Sequence, residues 1–416
     1  MIAQTPPMGW NSWDCYGAAV TEDTVRRNAE YMAEHLKHYG WEYVVVDIQW
    51  SYEGAVNHSY DPFAELTMDE YGRLTPAVNR FPSAANGAGF RPLADYVHSL
   101  GLKFGIHIMR GMPRAAAHRR LPIEGSSYTC DIAANPHSIC AWNPDMYGLR
   151  SELPAARDYY DSIFRLYASW GVDFIKCDDI AREYPQCRKE IEVISEACRN
   201  CGREMVLSLS PGPAPVEEAE HLKRYANMWR ITDDFWDDWR LLKGMFERAE
   251  KWCIHAGPGH WPDADMLPVG ALRQCDNPDD RTRFTQAEQR TMMTLWCVMR
   301  SPLMIGGEMT KNDAFTLDLL TRKKILEIEK ETWCAHPLRT TDEESVWIAP
   351  RKAGTGVYVA LFNLSDKKRT VNISAEEIEK GRITAIELWT GKITAKKKQI
   401  RSVIQPHDAE VWYLTE

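Results

Sequence analysis

Two short stretches carry acids and cations at the ends of apolar runs: FIKCDD at 174–179 and WRITDD at 229–234. Side chains alternate faces along a strand, so Lys176 and Asp178 share one face while Cys177 and Asp179 share the other. The same alternation, carried through the second stretch, groups Arg230, Thr232 and Asp234 against Asp233. Two carboxylates from different strands, each accompanied by a cation, suit hydrolysis of a glycosidic bond. One attacks the anomeric carbon; the other donates a proton and later removes one. Asp179 is expected to cap the next helix or to meet its neighbours.

The elements that must hold these residues have a repeating grammar. Helical periodicity runs into a glycine and then a short apolar strand in YMAEHLKHYGWEYVVVDI, LADYVHSLGLKFGIHI, YDSIFRLYASWGVDFIKCDD and ISEACRNCGREMVLSLS. Near-continuous apolar strands alternating with helices indicate a parallel sheet covered on both faces. Further strands are expected at MWRITDD, CIHAGPG and PLMIGG, with MGWNSW at the end of a first one. That makes the eight of a (β/α)8 TIM barrel. From about residue 335 the pattern changes to short alternating strands (SVWIAP, GVYVALFNL, RTVNIS, ITAIELWTG, AEVWYLT), which read as a C-terminal antiparallel β-sandwich. The expected division is 1–330 for the barrel and 331–416 for the sandwich. The connections after Trp50 and Arg110 exceed ordinary barrel loops, as lids or cavity walls do.

Active sites of this fold lie at the C-terminal ends of the strands. Trp13, Asp47, His107, Lys176, Asp178, Ser210, Arg230, Asp234 and the DAD of 263–265 collect there. An aspartate before a helix is often only a cap and a lone histidine often only packs. Polar residues at the same end of nearly every strand are harder to dismiss.

Composition narrows the partners. The chain has 416 residues, with 50 basic against 59 acidic, a formal charge of −9 that disfavours nucleic acid and anionic membranes. No run of eighteen apolar residues offers a membrane span, and the first residues, MIAQTPPMGW, show no secretory signal. Sixteen tryptophans and seventeen tyrosines are rings of the kind that carbohydrate sites use. Eleven cysteines, an odd number, read as reduced thiols of a cytoplasmic protein. Cys198 and Cys201 form a lone C-x-x-C without a second pair, which reads as packing rather than zinc. Pairing of Cys130 with Cys140 is left open, as is a homo-oligomer.

Taken together, PPMGWNSW, VVVDIQW, FIKCDD, WRITDD and GPGHWPDADMLPVG, in order over about residues 5–310, resemble glycoside hydrolase family 27. That family comprises α-galactosidases, α-N-acetylgalactosaminidases and β-L-arabinopyranosidases. The resemblance implies a retaining glycosidase, a barrel followed by a β-sandwich, a glycoside substrate, and no metal or cofactor. It places the nucleophile on Asp178 with Lys176 as partner, the acid/base on Asp234, and sugar contacts on Trp13, Arg230 and Asp265.

Three departures concern the sugar. α-Galactosidases end the second strand in two aspartates that hold O4 and O6; here Asp47 is followed by Ile48. A tyrosine common after the third strand is replaced by His107, and Ser210 stands where a glutamate lies near O2. L-Arabinopyranose is the galactose ring without its hydroxymethyl group, so a lost O6 acceptor and apolar bulk at Ile48 favour β-L-arabinopyranosides. α-D-Galactosides and α-N-acetylgalactosaminides are the alternatives. More remote are a catalytically inactive sugar-binding protein and a metal-dependent hydrolase, whose nearest ligands would be the scattered His107, His255 and His260.

Overall fold

In the computed structural model, which describes residues 2–415, eight parallel strands order themselves as the sequence grammar requires. They are β1 (Met8–Asn11), β2 (Tyr43–Val46), β3 (Lys103–Met109), β4 (Phe174–Asp178), β5 (Val206–Leu209), β6 (Met228–Arg230), β7 (Trp261–Asp263) and β8 (Leu303–Ile305). The sheet runs β7-β6-β5-β4-β3-β2-β1-β8. Its edges meet just beyond β7: Leu267 N donates to Met304 O at 2.7 Å, and Gly306 N donates to Leu267 O at 3.0 Å. The four glycines between helix and strand, Gly40, Gly101, Gly171 and Gly202, all have positive φ, the backbone state in which only glycine is unstrained.

Two apolar layers follow from the period of two. Tyr43, Val45, Phe174, Val206, Met228, Trp261 and Met304 pack with one another inside the barrel. Val44, Val46, Ile175, Cys177, Leu207, Leu209 and Trp229 face outward to the helices. Lys176 is in register with His107 on one side and Ser208 on the other, so Asp178 stands one inward step above that row.

One expected strand is misplaced. Cys253–His255 is a 3-10 turn ending the helix Trp239–Trp252, and the seventh strand is Trp261–Asp263. Pro262 within those three residues masks the strand signal, since proline is rare inside sheets.

The helix Lys323–Glu331 precedes the C-terminal β-sandwich. Its strands are β9 (His336–Thr340), β10 (Glu344–Pro350), β11 (Val357–Asn363), β12 (Arg369–Ser374), β13 (Ile383–Glu387), β14 (Ile393–Lys397), β15 (Gln399–Ile404) and β16 (Ala409–Thr415). A six-stranded antiparallel sheet, β9-β10-β11-β16-β13-β14, faces the pair β12-β15 across Val346, Val359, Leu361, Val371, Ile373, Ile400, Trp412 and Leu414. β9, β14 and β15 were not among the expected strands: β9 and β14 are short and bury no residue, while β15, QIRSVI, alternates exposed and buried residues and was overlooked. The sandwich is fastened to the barrel by a bidentate pair between Arg290 and Asp408 (3.0 and 2.7 Å) and by His407 stacked on Trp239 at 3.8 Å.

Asp179 does not cap a helix, since the next one begins at Arg188. It pairs with Arg110 at 2.9 Å, and Arg110 also reaches Glu190 at 3.4 Å, all three side chains being buried. Burial raises the Asp179 carboxyl to about 6 despite Arg110 beside it. Removing one member of such a cluster strands the other charges. Arg110→Met is expected to cost about 3–5 kcal/mol of unfolding free energy. Urea denaturation checks this; a loss within about 0.5 kcal/mol, as for surface changes, would show that the cluster contributes little.

Candidate active site

A cavity of about 420 Å³ opens at the C-terminal end of the barrel strands. Of the residues singled out in the sequence, Trp13, Asp47, Lys176, Asp178, Arg230, Asp234 and Asp265 line it. Ile48, His107 and Ser210 do not. Ile48 is 4 % exposed with its side chain in the shell behind β2, His107 lies beneath Asp178, and Ser210 is buried one residue before the lining Pro211.

Asp178 ends β4 with each carboxylate oxygen held. His107 Nε2 lies 3.0 Å from Oδ2, and the Asp179 amide donates to Oδ1 at 3.0 Å. Burial acts to raise this carboxyl, but the His107 hydrogen bond, the His107 charge and Lys176 outweigh it and hold Asp178 well below the usual carboxylate range. Lys176 donates to Asp47 Oδ2 at 2.8 Å rather than to Asp178, so it acts on Asp178 through its charge. Asp47 takes two further hydrogen bonds: Asn11 Nδ2 donates to Oδ2 at 2.7 Å and the Ile48 amide to Oδ1 at 2.9 Å, which leaves Oδ1 room for one more donor. Burial disfavours its charge too, and Lys176 and His107 reverse that, leaving it ionised below its ordinary value.

Across the cavity β6 stops at Arg230 and a bend follows, so alternation alone cannot place Asp234. Arg230 places it: one guanidinium nitrogen, Nη2, lies 3.1 Å from Asp234 Oδ1 and 2.8 Å from Asp265 Oδ2. The Asp234 side chain is 59 % exposed and free to approach a ligand, whereas Asp265 is buried and also accepts from the Phe235 amide at 2.8 Å. Burial, with Asp234 and Asp263 nearby, pushes the Asp265 carboxyl up to about 7 against the pull of Arg230. Asp233 turns to the rim, paired with Arg182 at 2.8 Å.

The walls were not legible as individual residues. Tyr60, from the long loop after β2, stacks on Trp13 (5.7 Å between centroids, planes 4° apart), and Trp142, from the loop after β3, meets Tyr60 at 5.2 Å. Loop length was the available signal; which ring reaches the site was not. His58, Trp236 and Asp14 also line the cavity. Burial and the neighbouring Asp265 raise Asp14 well above the ordinary carboxylate value.

Behind His107 a space of about 20 Å³, room for one water, is bounded by Ile48, Gln49 and Asp145. Asp145 accepts from Gln49 at 2.9 Å and from Asn143 at 3.1 Å, and burial still pushes it up to about 6. A carboxyl raised on folding stabilises the fold below its unfolded value, and that contribution is lost as pH rises through about 6. Asp145→Asn, which does not titrate, is therefore expected to gain on the wild type in urea midpoint between about pH 4 and about pH 7. An unchanged gap would contradict the assignment.

All eleven cysteines are free, Cys130 and Cys140 included, and no helix among the described residues is long and apolar enough to cross a membrane.

Comparison with known proteins agrees with this architecture. The family model described as "Alpha galactosidase A" (Melibiase_2) matches residues 5–150 and 150–331. A β-L-arabinopyranosidase structure from Geobacillus stearothermophilus superposes with a TM-score of 0.97 at 52% identity, covering 100% of this chain and 97% of that one. A structure from Bacillus halodurans, described as a "putative alpha-N-acetylgalactosaminidase", gives 0.89 at 50% identity over 100% and 98%. An α-galactosidase of Oryza sativa is 26% identical over 424 residues, 100% of this chain and 85% of the relative. With this barrel, this sandwich and this acid-lined cavity, the chain belongs to glycoside hydrolase family 27 and is a glycosidase of that family.

Proposed function

We propose that the protein is a retaining exo-glycosidase that removes terminal β-L-arabinopyranose from glycosides. The observation that carries the chemistry is one cavity with Asp178 at the end of β4 and Asp234 in the segment after β6, one buried and depressed, the other reaching into solvent. Asp178 attacks the anomeric carbon while Asp234 protonates the departing oxygen. Asp234 then takes a proton from water, which releases the sugar from Asp178 with its anomeric configuration retained. His107 and the Asp179 amide orient the nucleophile. Trp13 and Tyr60 offer flat faces to the sugar's C–H bonds.

For the sugar, the argument is one of missing acceptors. The end of β2 supplies one carboxylate, Asp47, whose oxygens already take three hydrogen bonds. Ile48 adds none, and its side chain faces the shell rather than the cavity, so the preference rests on the absent partner and not on a clash. Burying O6 unpartnered costs about 1–3 kcal/mol, roughly 10–200-fold in kcat/KM. A pentopyranose avoids that cost. The 52% identity to the Geobacillus arabinopyranosidase supports the same sugar.

The test is kcat/KM on nitrophenyl β-L-arabinopyranoside, α-D-galactoside and α-N-acetylgalactosaminide. The arabinoside is expected to lead the galactoside by about 10-fold or more. A preference for either galactose-configured substrate would overturn the sugar assignment while leaving the carboxylate chemistry intact.

A further inference from the structure

At the mouth of the cavity three side chains distant in sequence converge: His58 from the loop after β2, and Cys275 and Asp276 from the loop after β7. One ligand atom from each lies within 4.8 Å of the others. His58 Nδ1 is 2.8 Å from Asp276 Oδ2 and 3.6 Å from Cys275 Sγ.

The far side of the ring fixes its tautomer. His58 Nε2 lies 2.9 Å from the carbonyl oxygen of Trp13. A carbonyl only accepts, so Nε2 carries the hydrogen. In the neutral ring Nδ1 is then a lone pair aimed at a carboxylate, and two acceptors at 2.8 Å need a positive charge between them. A proton on Nδ1 supplies one. A metal ion would replace that proton and also take the sulfur, with Nδ1 and Oδ2 parting from the 2.8 Å of the hydrogen bond to the about 3.3 Å that separates two ligands of a tetrahedral ion. A ring nitrogen whose opposite N–H is tied to a backbone carbonyl is the usual state of a metal-bound histidine.

The backbones beneath are pinned. Arg273 N donates to Asp14 O at 2.8 Å and Gln274 N to Cys15 O at 2.6 Å, fixing the segment that leads into Cys275. Ala18 N donates to Asn57 O at 2.7 Å, next to His58, and a side chain on Gly17 would collide with that same carbonyl. Arg273 is further locked by a bidentate pair with Asp237, both bonds 3.0 Å. The ligand set therefore sits on rigid supports rather than on free loops.

We infer that His58, Cys275 and Asp276 form a binding site for a borderline-soft divalent ion of the Zn²⁺ type, which staples the loop after β2 to the loop after β7 at the cavity mouth. Imidazole, thiolate and carboxylate together suit such an ion, with a fourth position left to water. On binding, the thiol S–H bond breaks, its proton passes to solvent, and a sulfur–metal bond forms. The ion touches neither Asp178 nor Asp234. Its role is to hold His58, which packs edge-on against Trp13 (5.2 Å) and Trp236 (5.8 Å), as part of the wall.

The test uses the full chain, stripped of metal, in a Cys334→Ser background that removes the one exposed thiol among the described residues. Titration with Zn²⁺ by calorimetry is expected to give one site per chain and a Tm that rises with metal. Cobalt loading is expected to show a thiolate-to-metal charge-transfer band. Cys275→Ser is expected to abolish that band and, like Asp276→Asn, to weaken Zn²⁺ binding by about 10-fold or more. Absence of a stoichiometric site, or equal binding by the parent and Cys275→Ser, would overturn the inference.

Discussion

Asp178→Ala is expected to lower kcat by about 10⁴-fold or more, the scale on which loss of a covalent nucleophile acts. The size of the effect follows from where Asp178 sits. It is buried, it is held at both oxygens, and His107 and Lys176 keep it charged. Two other carboxylates that line the cavity are already engaged. Asp47 spends its oxygens on Asn11, Lys176 and the Ile48 amide, and Asp265 is tied to Arg230 and the Phe235 amide. The folded protein should survive the change, because Lys176 keeps its bond to Asp47. Circular dichroism and a thermal melt separate loss of chemistry from loss of fold. Ordinary activity in Asp178→Ala would remove it from the mechanism.

Asp234→Ala has the second largest expected effect, about 10²–10⁴-fold, the range of a single positioned proton donor. The loss should depend on the leaving group. Glycosides with alkyl or sugar aglycones need protonation and should suffer most; nitrophenyl glycosides need little and should suffer least. Azide, entering where the general base is missing, should restore turnover of the glycosyl-enzyme. Arg230 is the control for placement, since Nη2 is shared by Asp234 and Asp265. Were Asp233→Ala to show the leaving-group dependence and azide rescue instead, the acid/base would have to be moved one residue, to the acid that here faces Arg182 at the rim.

The contrast between these two aspartates shows what a sequence can and cannot say. Alternation in FIKCDD holds because residues 174–178 are a strand: Phe174 lies with the interior residues, Ile175 and Cys177 with the shell, and Lys176 and Asp178 point inward. In WRITDD the strand ends at Arg230, and the same parity reached Asp234 past the point where it applies. What brings Asp234 to the cavity is a bend and an ion pair to a residue four positions earlier. The barrel was legible from helix–glycine–strand units. β7 was not, because a strand of three residues with a central proline carries almost no periodicity.

Distance in sequence hides the rest. Ile48 packs in the shell with Val44 and Val46, the face that alternation from the inward Asp47 gives it; its place as a sugar contact came from the resemblance and not from parity. Trp142 and Tyr60 reach Trp13 from long loops, and His58 meets Cys275 across 217 positions. Loops follow tertiary contacts rather than a repeat, so their lengths are readable while their landing points are not.

The most direct measurement is to trap the enzyme with a 2-deoxy-2-fluoro β-L-arabinopyranosyl donor bearing an activated leaving group, digest it, and locate the label by mass spectrometry. A covalent fluoropentosyl adduct on the peptide containing Asp178, absent from Asp178→Ala, is the result expected of a retaining mechanism with this nucleophile. An adduct on another carboxylate, or turnover that yields the inverted sugar with no adduct, would contradict it.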